Sequence, residues 1–194
     1  MTVVRVNPTS VHSYGTDAQA KFDAIRSELV ALVDDVVGVH YFGPNAVDFK
    51  TRAGQLAADF ANNLNKDLGA VAEAIRVSTS NIAASLGGQP LQISVNGSPI
   101  TPPAVQTVDY VDVDTAALDA LSATVNRHFT AINGLFDGHL SQLQGTDWTG
   151  NAKDQAVSSV STFTSSAKGK ADEAQMSLSN YIKDQVQKTV AADK

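Results

Sequence analysis

The chain has 194 residues, of which 43% are hydrophobic and 18% charged, enough apolar material for one sizeable core or two small ones. Its formal charge of −6 and pI near 5.0 leave no basic stripe to displace counterions from a nucleic acid or to dock on anionic lipid. It has no cysteine, which excludes disulfide scaffolds, thiol chemistry and cysteine-ligated zinc.

The N-terminal stretch from Met1 to Pro8 contains no apolar run of signal-peptide length. From Pro8 to about residue 37 the spacing predicts a first helix. Val11, Ala18, Phe22, Ile25, Leu29, Leu32 and Val36 recur in steps of three, four and seven. Asn7 is a good N-cap, Pro8 suits the first helical position, and Gly38 suits the end. The richest apolar run, Leu29 to Val39, is interrupted by Asp34 and Asp35, so no membrane span is expected. A corner follows at Tyr41-Phe42-Gly43, and Pro44 opens a second helix expected to reach about Leu86. Phe49, Ala53, Leu56, Phe60, Leu64, Leu68, Val71, Ile75, Ser78 and Ile82 mark the seam of a coiled-coil-like bundle. Gly87-Gly88 should stop it.

Residues 89–113 differ in character. Ile93 and Val95 flank Asn96-Gly97, a strong turn signal, and Pro99, Pro102 and Pro103 confine any strand to an edge. The expectation is a small β-hairpin and Pro-rich connector, either a plain link or an exposed recognition tip. Asp114 then caps a third helix with Leu118, Leu121, Val125, Phe129, Ile132, Phe136, Leu140 and Leu143 on its stripe. A second corner at Trp148-Thr149-Gly150, holding the only tryptophan, leads into a fourth, alanine-rich helix. Its face is Ala156, Val160, Phe163, Ala167, Ala171, Ala174, Leu178 and Tyr181 or Ile182. Residues 187–194 should fray.

The chain repeats itself. Trp148 lies 107 residues after Tyr41, and the same offset carries Gly43 to Gly150. It also carries Phe22-Asp23-Ala24-Ile25 to Phe129-Thr130-Ala131-Ile132, Val4 and Val6 to Val111 and Val113, and Asn7 to Asp114. Beyond the corners the match shifts by one residue, Ala46 falling on Ala152. The domain reading is a first helical hairpin over 1–88, a connector over 89–113 and a second hairpin over 114–194. A lone hairpin exposes its apolar stripe, so the two should pack as one elongated, antiparallel, all-α four-helix bundle, about 45 to 60 Å long. Tethering makes the pairing intramolecular, giving a monomeric pseudo-dimer, although a swap between two chains satisfies the same contacts.

Paired helices of this length with Trp-x-Gly at the bend resemble the WXG family, the ESAT-6-like proteins of type VII secretion of Gram-positive and actinobacterial type. The chain looks like two of them in tandem, over roughly 8–86 and 114–190. Trp148 and Gly150 match the motif outright; Tyr41 and Gly43 match it with tyrosine for tryptophan. The resemblance implies export without a cleaved signal peptide and protein partners, a secretion ATPase or a co-secreted helical protein. It also implies a composite signal in which the turn of one hairpin lies near a Tyr-x-x-x-Asp/Glu element at the end of the other. Tyr181 and Gln185 occupy that region, with glutamine in place of the acid and Asp184 one position early. Tyr110 to Asp114 fits the pattern literally but precedes the third helix and includes its cap. The protein is thus expected to be secreted or envelope-associated, acting by protein–protein contact. If the degenerate signal is inactive, it is instead a cytoplasmic adaptor, chaperone or immunity-like partner.

No chemistry is expected. His12, His40, His128 and His139 form no metal spacing and read as surface residues. Asp109, Asp112 and Asp114 lack the glycine and distal glutamate of a calcium loop. Ser165-Ser166-Ala167-Lys168 contains Ser-x-x-Lys without a partner motif. The expectation is no enzyme, no cofactor and no metal.

Overall fold

The computed structural model describes residues 4–86 and 89–192, and the side chains of all of these except 84–86. The chain is all-α, a four-helix bundle with a small β component. Strand β1 (Arg5–Val6) precedes helix α1 (Pro8–Gly38); strand β2 (Tyr41–Phe42) precedes α2 (Pro44–Leu86). Strand β3 (Asp112–Val113) then precedes α3 (Thr115–Gly145), and β4 (Trp148–Thr149) precedes α4 (Asn151–Ala192). The expected stop at Gly87-Gly88 lies outside the described residues.

Both pre-helix residues cap as their chemistry requires. The Asn7 side-chain oxygen accepts from the Thr9 and Ser10 amides at 3.1 and 3.2 Å, and Asp114 accepts from Ala117 at 3.0 Å. Of the stretch expected to fray, residues 187–192 are helical, with Lys188 on Asp184 at 2.7 Å supporting the last turns, and residues 193–194 lie outside the described residues.

The chain forms two compact units, each drawing on both hairpins. Unit one comprises Met1–Arg26, Leu64–Ser98 and Asn133–Lys168; unit two comprises Ser27–Asn63, Pro99–Ile132 and Gly169–Lys194. In unit one Phe22 meets the His139 ring edge-on at 4.8 Å, and Phe136 meets Phe163 at 5.5 Å. In unit two Phe60 packs on Phe129 at 5.1 Å, within a core that includes Leu29, Leu32 and Leu118. The α2 seam departs from expectation at Leu56, which is exposed. Ala53, Ala57 and Ala61 carry the buried line there, small residues that let helices approach closely.

No strand forms around Asn96-Gly97; the β structure of the connector is β3 at its far end. The expected hairpin is replaced by an extended strap, because helix side chains take the place of a partner strand. In unit one Gln19 accepts from the Ser94 amide at 2.9 Å and donates to its carbonyl at 3.0 Å, as a peptide group would. Arg26 donates to the Asn96 and Ser98 carbonyls, both at 2.9 Å. In unit two Asn62 brackets the Ile100 peptide in the same way, at 2.8 and 2.9 Å. Leu91, Ile93 and Ile100 turn inward, and Leu91 sits where a side chain at Gly15 would clash, 2.6 Å from its Cβ position.

Candidate functional site

The two corners are built alike. At each, a helix ends in glycine, two residues further on a two-residue strand forms, and a glycine with positive φ (Gly43 at 120°, Gly150 at 117°) immediately precedes the next helix. Only glycine adopts that backbone without strain. Each corner strand pairs antiparallel with the arm that precedes a helix of the other copy. Val6 lies opposite Trp148 and Arg5 opposite Thr149; Val113 lies opposite Tyr41 and Asp112 opposite Phe42. The Asn7 amide donates to the Asp147 carbonyl at 2.9 Å, and the Asp114 amide to the His40 carbonyl at 3.2 Å. Val4 covers Gly150, and its repeat counterpart Val111 covers Gly43. These two arm-and-corner clasps keep the 107-residue offset at every position.

In unit one Trp148 is 1% exposed and fills the corner, its indole nitrogen buried without a hydrogen-bond partner among the described residues. Lys153 reaches back to the Gln144 and Thr146 carbonyls at 2.8 and 2.6 Å, satisfying the end of α3. In unit two Tyr41 is likewise buried, but its hydroxyl has a partner: Gln185 donates its side-chain amide to it at 3.0 Å. Tyr181 stacks on Phe49, with centroids 5.5 Å apart and planes 12° apart, and the Arg52 guanidinium lies 5.8 Å from its ring. Burial raises the Tyr181 hydroxyl above its ordinary value, partly offset by Arg52, so it is protonated at neutral pH. Tyr41, Tyr181 and Gln185 therefore belong to one constellation, around a cavity of about 490 Å³ also lined by Asn45, Asp48 and Lys188, with Gly43 in the same corner two residues after Tyr41. Trp148 and Gly150 belong to the other unit. In the core position at the end of α4, Ile182 is buried and Tyr181 only half so.

Of the two residues that hold Tyr181 in place, Phe49 was legible in the sequence only as a seam position, and no motif marked Arg52. The histidines need correction: His12 and His40 are exposed, but His128 and His139 are buried. His139 makes a 2.9 Å hydrogen bond with the Tyr14 hydroxyl, and burial, assisted by the Lys21 charge, pushes its pKa down to about 4. His128 sets one ring nitrogen 2.7 Å from Glu28 and the other 2.9 Å from Asp35. An apolar stripe counted at helical spacing does not reveal that such a histidine, once paired, is accommodated inside.

Lys168 of Ser-x-x-Lys pairs with Asp137 at 2.7 Å, while Asp112 meets His40 at 3.1 Å and Asp114 caps α3. Among the described residues no cluster of three or more His, Asp or Glu side chains could hold a metal ion, and no helix is long and apolar enough to cross a membrane. No protein-family model matches the chain, and neither a curated protein nor a solved structure matches it.

Proposed function

We propose that this protein is a substrate or associated factor of a type VII secretion system, a fused pair of ESAT-6-like hairpins that acts through protein–protein contacts. The observation that carries the reading is the juxtaposition of the Tyr41-x-Gly43 corner with Tyr181 and Gln185, joined by the 3.0 Å bond from Gln185 to Tyr41. A turn from one hairpin and a tyrosine-bearing stretch from the other thereby meet at one place, where Tyr41 is buried and Tyr181 and Gln185 are half-buried. The second corner, Trp148-x-Gly150, supports it by repeating the same backbone at the same offset. Recognition would fall to a secretion ATPase or a co-secreted helical protein, and export would proceed without a cleaved signal.

A second reading follows from Gln185. Its amide is engaged by Tyr41, and it brings no negative charge where the family pattern has an acid. That favours a cytoplasmic adaptor, chaperone or immunity-like partner that keeps the bundle and lacks the export function. Secretion of the tagged full-length protein separates the two. Export in a strain with an intact secretion ATPase, lost on its deletion and lost in Tyr181→Ala or Trp148→Ala chains that circular dichroism shows to be helical, supports the first. Strict retention with one stoichiometric cytoplasmic partner supports the second.

A further inference from the structure

The two clasps share a backbone but place their carboxylate on opposite partners. In unit one the arm residue is Arg5 and the corner residue is Asp147, 3.6 Å apart, with Asn7 donating to the same carboxylate at 3.3 Å. In unit two the equivalent arm residue is Asp112 and the equivalent corner residue is His40, 3.1 Å apart. Between the copies the carboxylate has moved from the corner to the arm, facing a guanidinium in one clasp and an imidazole in the other.

We propose that these four residues form a pairing code, by which each arm accepts the corner of the other copy and is mismatched to the corner of its own. If a second hairpin paired with another second hairpin through this clasp, Asp112 would meet Asp147. Asp114 would then stand where Asn7 now donates, and three carboxylates would converge. If a first hairpin paired with another first hairpin, Arg5 would meet His40, which offers no anion. Only unlike copies supply a donor or cation and a carboxylate at both clasps. The fold does not require this: strand register, N-cap and corner glycine are the same at both clasps and are indifferent to the sign. Exposed pairs of this kind contribute little to absolute stability. Like charges set opposite each other act in the contrary direction, so the code discriminates between partners more than it stabilises one. The inference is independent of secretion. It also states the chemistry of a competing partner: a helical hairpin that replaces the first copy on the second needs a cation two residues ahead of its N-cap.

Amide hydrogen exchange on the full-length chain tests this at Asn7 and Asp114, whose N–H groups close the two clasps. Arg5→Asp with Asp112→Arg mismatches both clasps; adding His40→Asp and Asp147→Arg reverses the whole code. Exchange at both amides should accelerate by about three- to tenfold in the first variant and return to within about twofold of wild type in the second. Unchanged exchange at the amides of Phe22, buried in unit one, and Phe129, buried in unit two, reports in each case that the helices are intact. Unchanged exchange in the arm-exchanged chain overturns the code, and so does an acceleration that the full reversal leaves in place.

Discussion

At the Trp148 corner the buried ring ends in an indole N–H with no partner among the described residues; at the Tyr41 corner it ends in a hydroxyl that Gln185 reaches. The backbones are the same, so the difference is not required by the turn. Charge divides along the same line. The stretches of unit one hold seven basic and seven acidic residues, those of unit two seven basic and thirteen acidic, so the whole formal charge of −6 belongs to unit two. Repeats teach by subtraction: what both copies keep is demanded by the fold, and what only one carries is free for another purpose. Glycine at positive φ, the arm strand and the cap belong to the first class. The Tyr41–Gln185 contact, the Phe49–Tyr181 stack and the excess of carboxylates belong to the second.

The contrast is broken most severely at Trp148. Trp148→Ala removes the largest fully buried side chain and should lower unfolding free energy by about 3–5 kcal/mol, read by denaturant titration. Trp148→Tyr, which installs the other corner's residue, should cost clearly less.

His139 gives the next largest effect. Its folded pKa of about 4 lies below the ordinary 6.5, so its contribution is complete above about pH 6.5. That contribution is lost as pH falls towards 4, a total of about 3 kcal/mol by linkage. At the repeat offset His139 corresponds to Leu32 and Tyr14 to Leu121, both buried in unit two. Tyr14→Phe with His139→Leu should therefore remain folded and flatten the acid limb of a stability–pH profile. A profile as steep as wild type would assign the acid sensitivity elsewhere.

The corner glycines come third. Gly43→Ala and Gly150→Ala both force a side chain into positive φ, at roughly 1–3 kcal/mol each. Gly43→Ala should be the worse of the two. Its new Cβ would lie 3.3 Å from the Tyr110 carbonyl oxygen, which belongs to the backbone, whereas at Gly150 the nearest atom is a movable Val4 methyl carbon, also at 3.3 Å. Equal melting temperatures for the two variants would show that the arms yield equally.

The smallest effect sharpens the comparison most. Tyr41→Phe deletes only the bond to Gln185, so a loss of about 0.5–1.5 kcal/mol is expected, since half-buried Gln185 can turn to water. If folded Tyr41→Phe leaves stability unchanged and export impaired, the contact serves recognition and not the fold.

The helices were legible because burial follows the 3.6-residue period over long windows, as at Phe22, Ile25, Leu29 and Leu32, all buried. The caps and corners were legible because Asn7, Asp114, Gly43 and Gly150 are the residue types their backbone geometry selects. The strap was misread because period-two alternation and Asn-Gly report an extended chain with a turn. They do not report whether the missing hydrogen bonds come from a strand or from Gln19 and Asn62. His128 and His139 were misplaced for a related reason: whether a polar ring can be buried depends on partners far away in sequence, Glu28, Asp35 and Tyr14.

Four amphipathic helices, two corners and their repetition follow from the residues alone, since these rest on local backbone preference and on spacing along one chain. It takes the packed helices to establish that each arm clasps the other copy's corner, that Arg5 meets Asp147 while Asp112 meets His40, and that Tyr181 lies against Phe49 and Arg52. Those contacts join residues up to 144 positions apart, and the register that brings them together is set by packing of the whole helix faces, not by any motif.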